Sequence, residues 1–264
     1  MAKFCSLFSG SSGNCTFIES GGTGVLIDAG VSAKAIGKAL EDIGSGFEKI
    51  AAVFVTHEHS DHIKGLPLLA NRLKIPIFAN AGTIEGILHE CKTICESSLF
   101  ELPTGASVDI ANMNICSFET SHDSRESVGY RIHTSDGRRI AVATDLGFIS
   151  DTVLFGITDC ELIMIESNHD IDMLKNGSYP YFLKQRILSQ RGHLSNDDCA
   201  ATLIKLMEGG TKHFVLAHLS KDNNLPELAL STAMGVLHSS GLQQGSDYTI
   251  EAAPRFGPGK LYSF

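Results

Sequence analysis

The feature that most constrains this chain is a histidine-rich segment that directly follows an apolar run. The letters HEHSDH at residues 57–62 come straight after AAVFVT, so three imidazoles and an aspartate lie just beyond a predicted buried strand. Imidazole and carboxylate ligands suit zinc, manganese or iron, and the absence of a nearby cysteine argues against a closed structural zinc site. The spacing of His57 and His59 is that of extended backbone, which turns both rings to one side. Asp61 and His62 lie past the bend and are free to bind a second ion.

Other metal-capable side chains recur at the ends of predicted strands. Glu166 and His169 follow one such run, Leu162–Ile165. The main candidates, in chain order, are Asp28, His57, His59, Asp61, His62, His122, Asp145 and His218. This recurrence is what a site along one rim of a sheet would produce. In the first half of the chain, strands and helices alternate, which predicts an α/β fold.

Composition limits the class of protein. With 264 residues, 43% of them hydrophobic, and no repeat or linker, residues 1–264 are predicted to form a single domain. There is no membrane span and no signal-peptide pattern, and seven scattered cysteines indicate a reducing, cytoplasmic location. The net charge of −9 speaks against nonspecific attraction to a polyanion. A nucleic-acid substrate would therefore need a local positive field, supplied by metals and a basic patch.

Two segments are candidates for substrate contact. The loop SGSSGN at residues 9–14 offers Ser11, Ser12 and Asn14 and could cradle a phosphate, although a plain turn is an equal alternative. Residues 175–191 contain no acidic residue but carry Lys184, Arg186 and Arg191 among aromatic residues. This basic arm could hold backbone phosphates and stack a frayed base. The equal alternative is an amphipathic helix, predicted over Tyr179–Gln190, whose cations lie at the surface.

The order and surroundings of the candidate ligands resemble the metallo-β-lactamase superfamily. The resemblance implies a four-layer αβ/βα sandwich with two divalent ions at one edge, zinc or manganese, with iron also accepted. It implies hydrolysis by a metal-bridging hydroxide. It assigns His57, His59 and His122 to one ion, and Asp61, His62 and His218 to the other, with Asp145 bridging both.

The same resemblance implies further roles. Asp28 would hold the histidine loop by hydrogen bonds, and Asp61 or the bridging hydroxide would handle the proton. Superfamily members that use iron for redox chemistry typically replace the second histidine of the cluster by glutamate, so an intact His59 favours a hydrolase. The interval from Asp145 to His218 is too short for the inserted β-CASP domain of RNA-processing members.

Local motifs narrow the expected substrate. The segment GHLS at residues 192–195 is similar to the histidine loop of ribonuclease Z and related phosphodiesterases, which implies that His193 is a general acid or oxyanion partner. The alternative is an ordinary loop at a helix start. Together, SGSSGN, HEHSDH and GHLS with ESNH at residues 166–169 look like the YycJ/WalJ family. The implied activity is exonucleolytic cleavage of double-stranded DNA, often from the 5′ end.

Several alternatives stay open. A glyoxalase II-like thioesterase or lactonase, or a hydrolase of small cyclic phosphodiesters, would share the metal site but would not need His193 or the basic arm. An intact ligand set weighs against a catalytically dead binding module. Glu166 is a possible contributor to the site, and His169 could approach the metals or phosphate or hydrogen-bond Asp170. The sequence does not determine whether the substrate is DNA or RNA, nor does it determine the oligomeric state.

Overall fold

The computed structural model describes residues 1–264 and contains fourteen strands and nine α-helices. The strands are β1 (Ala2–Phe8), β2 (Cys15–Ser20), β3 (Thr23–Ile27), β4 (Ile50–Phe54), β5 (Ile77–Ala79), β6 (Leu99–Glu101), β7 (Ser107–Ile110), β8 (Met113–Glu119), β9 (Val128–Thr134), β10 (Arg139–Ala143), β11 (Leu162–Glu166), β12 (His213–Ala217), β13 (Thr249–Ala252) and β14 (Tyr262–Ser263). The helices are α1 (Ala33–Asp42), α2 (Ser60–Ile63), α3 (Leu66–Asn71), α4 (Ala81–Glu90), α5 (Asp151–Ile157), α6 (Ile171–Asn176), α7 (Tyr181–Ile187), α8 (Asn196–Glu208) and α9 (Pro226–Ser239).

The strands form two sheets of seven strands each. The first has the order β14-β1-β2-β3-β4-β5-β6, and the second has the order β13-β12-β11-β10-β9-β8-β7. In both sheets an antiparallel part joins a parallel part: β3 to β6 run parallel in the first, and β10 to β13 in the second. The carboxyl ends of these parallel strands meet at one edge of the molecule.

Three apolar clusters hold the layers together. The central cluster joins the two sheets and contains side chains from both, such as Phe54 and Tyr130. A second packs the first sheet against α1, α3 and α4, and a third packs the other sheet against α5, α8 and α9. The layer order is therefore helix, sheet, sheet, helix. This arrangement confirms the predicted four-layer αβ/βα sandwich, whereas the single-domain assignment stays a prediction.

The helix predicted over Tyr179–Gln190 is shorter in the structure. Helix α7 covers only Tyr181–Ile187. Pro180 disfavours helical backbone at the residue before it, so Tyr179 lies outside the helix. At the other end the chain turns back, and the amide of His193 donates to the carbonyl of Ile187 at 3.0 Å. This turn carries residues 190–193 towards the histidine cluster. No helix of this structure combines the length and the apolar character that crossing a bilayer requires.

A buried hydrogen bond between the sheets supports the strand that leads to the histidine segment. The hydroxyl of Tyr130, which is 1% exposed, donates to the carbonyl of Val55 at 2.7 Å. We expect Tyr130→Phe to lower the free energy of unfolding by about 1 kcal/mol, because it leaves a buried carbonyl with one partner fewer. Urea denaturation at a fixed metal concentration measures this change.

Tyr179→Phe is the matched control, since the hydroxyl of Tyr179 donates to Asp222 in a solvent-exposed hydrogen bond. We expect that variant to change stability by less than about 0.5 kcal/mol. Equal effects of the two substitutions would contradict the role of the Tyr130 hydroxyl.

Candidate metal centre

The predicted site residues lie where strands end, at one edge of the two sheets. Asp28 follows β3, Asp145 follows β10, and His218 follows β12. These three residues have φ angles of 63°, 57° and 55°, a left-handed conformation that is uncommon for residues other than glycine. Such backbone persists only where the surrounding structure imposes it, and it gathers at functional sites. Here it turns each side chain from the strand end towards the same centre.

The seven predicted ligands converge in overlapping groups. The ligand atoms of His57, His59 and His122 lie within 4.8 Å of one another, and so do those of Asp61, His62 and His218. These two groups match the two ligand sets that the resemblance implies. Asp145 lies between them.

The carboxylate of Asp145 reaches both groups. Its Oδ2 is 3.3 Å from His62 Nε2, and its Oδ1 is 3.8 Å from His122 Nε2. Burial raises the pKa of this carboxyl, but the neighbouring His218 and His62 imidazoles lower it by more. The pKa therefore lies well below its ordinary value. Asp145 is therefore an ionised group, placed to contact ions held by either set.

The residues of this cluster fit divalent cations. His57 Nε2, His218 Nε2 and Asp145 Oδ2 are buried and have no hydrogen-bond partner within the protein. A buried polar atom without a partner costs about 1–3 kcal/mol, and divalent ions held by the two ligand sets would provide the missing partners. Imidazole nitrogens and carboxylate oxygens are together the donor set of zinc, manganese and non-haem iron.

The ring nitrogens that face away from the cluster are held by hydrogen bonds. His62 Nδ1 lies 2.8 Å from Asp28 Oδ2, and Asp28 also accepts from the amide of Thr56 at 2.8 Å. His57 Nδ1 lies 3.0 Å from the Thr56 hydroxyl, and His122 Nδ1 lies 3.1 Å from a backbone carbonyl. Histidines that bind metal are usually oriented in this way through the second ring nitrogen.

Asn14 departs from its expected place among the substrate-binding residues. Ser11 and Ser12 are exposed, but Asn14 is 6% exposed and points inwards. Its Oδ1 accepts from the amide of Gly10, and its Nδ2 lies 3.3 Å from Asp61 Oδ2 and 3.1 Å from His62 Nε2. The side chain therefore positions the loop and two ligands rather than facing solvent.

Glu166 connects His193 to the ligand cluster. Its fully buried Oε1 lies 2.8 Å from His193 Nδ1 and 2.9 Å from His218 Nδ1, while Oε2 accepts from the amide of Leu146 at 2.9 Å. Burial raises the pKa of this carboxyl, but the two imidazoles lower it more, to about 2. The ionised carboxylate therefore orients both rings, and each turns its Nε2 atom away from Glu166.

His169 does not make the hydrogen bond to Asp170 that was considered for it. The residue is 1% exposed, and neither ring nitrogen has a hydrogen-bond partner. It belongs to none of the groups of converging ligand atoms, and the Asp170 carboxylate instead caps α6. Burial lowers its pKa to about 4, so this imidazole is neutral at neutral pH.

Three cations of the basic arm are engaged within the protein, whereas the fourth, Lys175, is exposed. Lys184 Nζ donates to two backbone carbonyls at 2.8 and 2.7 Å, and Arg186 pairs with Asp123. Arg191 donates to the carbonyl of His122 at 3.2 Å. These contacts favour the structural alternative for the arm, because each of these three cations braces a neighbouring segment. Two aromatic side chains of α7, by contrast, are about three-quarters exposed.

Two residues at the centre were missed in the sequence. Thr56 links Asp28 to both His57 and His62 through its hydroxyl. Asp123 places its Oδ1 3.3 Å from His122 Nε2, and that oxygen is buried without a hydrogen-bond partner. The sequence offered one signal for both residues: each is the direct neighbour in the chain of a predicted ligand.

Comparison with known proteins agrees with this geometry. A family model described as a β-lactamase superfamily domain matches residues 23–219. The chain is 36% identical over 258 residues to the exodeoxyribonuclease YycJ of Bacillus anthracis, covering 98% of this chain and 97% of that protein. It is 37% identical over 253 residues to the exodeoxyribonuclease WalJ of Streptococcus pneumoniae, covering 94% and 93%.

A solved structure supports the fold independently. The metallo-β-lactamase fold protein YhfI from Bacillus subtilis aligns with a TM-score of 0.73 at 17% identity, covering 99% of this chain and 98% of that one. This fold, together with the His/Asp cluster, implies binding of divalent metal. The chain therefore belongs to the metallo-β-lactamase superfamily, and within it to the family that contains YycJ and WalJ.

Proposed function

We propose that this chain is a metal-dependent exodeoxyribonuclease that degrades double-stranded DNA from the 5′ end. The observation that carries the proposal is the similarity to two exodeoxyribonucleases over nearly the whole chain. The metal centre alone does not choose the substrate, because one fold and one ligand set can serve several hydrolytic reactions. The His193–Glu166 pair agrees with a phosphodiester substrate, whose leaving oxygen needs a proton.

We assign two divalent ions to the centre, zinc or manganese, with iron also compatible with the ligands. His57, His59 and His122 would hold one, Asp61, His62 and His218 the other, and Asp145 would contact both. When bound, the ions would supply a water of lowered pKa and positive charge beside the scissile phosphate.

The chain's own residues supply the proton transfers. Glu166 holds Nδ1 of His193, which leaves Nε2 as the nitrogen that can give a proton to the leaving oxygen. The His193 ring lies between His122 and His218, with ring centroids 5.0 and 5.2 Å away. The Asp61 side chain is 21% exposed and is an accessible carboxylate that would take a proton from the attacking water.

We expect Glu166→Gln to lower kcat by roughly 10–100-fold, the usual cost of losing a group that orients a metal ligand. The amide keeps the size of the side chain but has no negative charge, so it holds His193 and His218 less strongly than the carboxylate, which accepts a hydrogen bond from each ring. Steady-state kinetics and the metal content of the purified variant measure the effect. Glu161→Gln, just before β11 and in an ion pair with Arg138, should leave kcat unchanged. An unchanged kcat in Glu166→Gln would exclude the positioning role.

Labelled duplex DNA tests the proposed activity. One sample carries a 5′ label and the other a 3′ label, each with added manganese and with a chelator control. We expect chelator-sensitive release of labelled mononucleotide from the first sample and gradual shortening of the labelled strand in the second. Release of labelled mononucleotide from the 3′-labelled sample instead would overturn the proposed direction of degradation but would still support exonuclease activity.

Assays on other substrates distinguish the proposed exodeoxyribonuclease from the alternative hydrolases. The metal-loaded protein is assayed in parallel on duplex RNA, a cyclic nucleotide and a thioester. Absence of DNA cleavage with turnover of one of these would reject the exodeoxyribonuclease and identify the alternative class.

A further inference from the structure

Glu58 lies in the middle of the histidine segment but has no part in the mechanism described so far. The rings of its neighbours His57 and His59 belong to the ligand cluster, whereas the Glu58 carboxylate does not. Its side chain lies instead against Gly86 of α4, where an added methyl group would come within 2.3 Å of Glu58 Cγ. Glu58 therefore packs directly on the helix layer outside the first sheet, with no space for a further side chain between them.

The Glu58 carboxylate binds the loop that completes the first ligand set, which consists of His57, His59 and His122. Its Oε1 accepts from the backbone amide of Arg125 at 2.9 Å. Arg125 lies three residues after His122 in the β8–β9 loop, residues 120–127. No other side-chain hydrogen bond joins residues 57–62 to this loop. Glu58 thus links two chain segments that each provide ligands to the same proposed ion.

The other hydrogen bonds of the loop lead away from the histidine segment. Arg191 donates to the carbonyl of His122 at 3.2 Å, which fixes the loop to the segment before α8. A backbone bond from the amide of Val128 to the carbonyl of Thr56, at 3.0 Å, joins the residue just after the loop to the residue just before the segment. The loop itself is therefore hydrogen-bonded to the segment at one point, the Glu58 carboxylate.

An ion in the first ligand set requires a fixed separation between the two segments. The ring centroid of His122 lies 5.0 Å from that of His57 and 5.1 Å from that of His59. Ligand distances in metal sites stay within about 0.2 Å of their ideal values, so a small shift of the loop would withdraw one of the three imidazoles. The bond from Glu58 to the Arg125 amide connects the same two segments and restricts that shift.

The second carboxylate oxygen indicates that Glu58 adds little to stability. Oε2 is buried and has no hydrogen-bond partner, which is an unfavourable arrangement. Truncation to alanine removes one hydrogen bond and one unpartnered oxygen together, so their effects on the free energy of unfolding oppose each other. An effect of Glu58→Ala on ligand geometry can therefore be measured without a large loss of stability.

We propose that Glu58 is a positioning residue that sets the separation of His122 from the other two histidines of the first ligand set, and so raises the affinity for that ion. The inference rests on the two-ion centre of the proposed function. The second ligand set takes no residue from the β8–β9 loop and should not depend on Glu58. That set consists of Asp61, His62 and His218.

Titration of the metal-stripped protein with Co²⁺, followed by visible absorption, tests each ligand set separately. His218→Ala leaves the first ligand set complete, and His57→Ala leaves the second complete. In the first background we expect Glu58→Ala to weaken Co²⁺ binding about 10-fold, at the lower end of the range for losing a group that orients a metal ligand. In the second background the affinity should not change.

Two further substitutions separate positioning from charge and from general disruption. Glu58→Gln should restore the affinity, because its amide oxygen still accepts from the Arg125 amide although the negative charge is gone. Glu85→Ala is the matched control and should leave the Co²⁺ affinity unchanged. The Glu85 side chain is 71% exposed and pairs with the guanidinium of Arg125 at 3.0 Å, so its loss removes no bond to the loop backbone.

The outcomes separate this inference from the proposed function. Unchanged affinity in Glu58→Ala, equal weakening of both ligand sets, or no recovery in Glu58→Gln would overturn the inference, whether or not the protein degrades DNA. Selective weakening with recovery would support it even in a protein without exonuclease activity. If a double variant fails to fold, elemental analysis of Glu58→Ala in the otherwise native chain, after dialysis against a weak chelator, decides. Loss of one of two ions supports the inference, and any other result overturns it.

Discussion

Asp145→Asn should abolish DNA hydrolysis and reduce the metal that the protein retains. Asp145 is the one carboxylate that lies between the two ligand groups, so its charge acts on both proposed ions at once. The amide keeps the shape of the side chain and tolerates the left-handed backbone at this position, where φ is 57°. The loss should therefore report the missing charge rather than a misfolded loop.

We expect the fall in kcat to exceed the roughly 10²–10³-fold caused by removing one group that stabilises transition-state charge. Elemental analysis of the purified protein gives the metal content, and the 5′-labelled duplex gives the rate. His57→Ala should show the same two losses. Asp109→Asn, an exposed carboxylate on β7, is the matched control and should retain both. An Asp145→Asn protein with full metal content and full activity would refute the proposed bridging role.

His193→Ala should keep the metals and lower kcat by roughly 10²–10⁴-fold, as loss of a general acid does. His193 lies outside the two triads of proposed ligands. It converges with Asp145, Glu166 and His218 through Nδ1, which Glu166 engages at 2.8 Å. Truncation therefore removes a proton donor without removing a ligand. His57→Ala, in contrast, should lose metal and activity together.

Two measurements separate a chemical role for His193 from a structural one. Added imidazole should restore part of the rate in His193→Ala, because the vacated space lies beside Glu166, which can orient the added ring. The metal content of His193→Ala should equal that of the native protein, whereas a structural role in the centre would lower it. His133→Ala, an exposed histidine on β9, should leave both rate and metal content unchanged. Full activity of His193→Ala would remove this residue from the mechanism.

The sequence by itself determined the fold class and the residues from which the centre is built. Ligand-type side chains are recognisable by chemistry, and the carboxyl ends of neighbouring parallel strands lie at one edge of a sheet. His57, Asp145 and His218 could therefore be placed together before any contact was known. Their roles as metal ligands stay a proposal, but their convergence needed only strand order and residue type.

Only the tertiary structure decided which partner each polar group has. Asn14 turns inwards to Asp61, 47 residues away in the chain, and Glu166 is shared between His193 and His218, which is 52 residues away. The basic arm is likewise braced by carbonyls and by Asp123 rather than left open to substrate. Hydrogen bonds between distant segments depend on distances of a few ångströms and on burial. Sequence spacing carries no information about either, so the orientation of these groups and the bond from Glu58 to the loop of His122 became visible only in the folded chain.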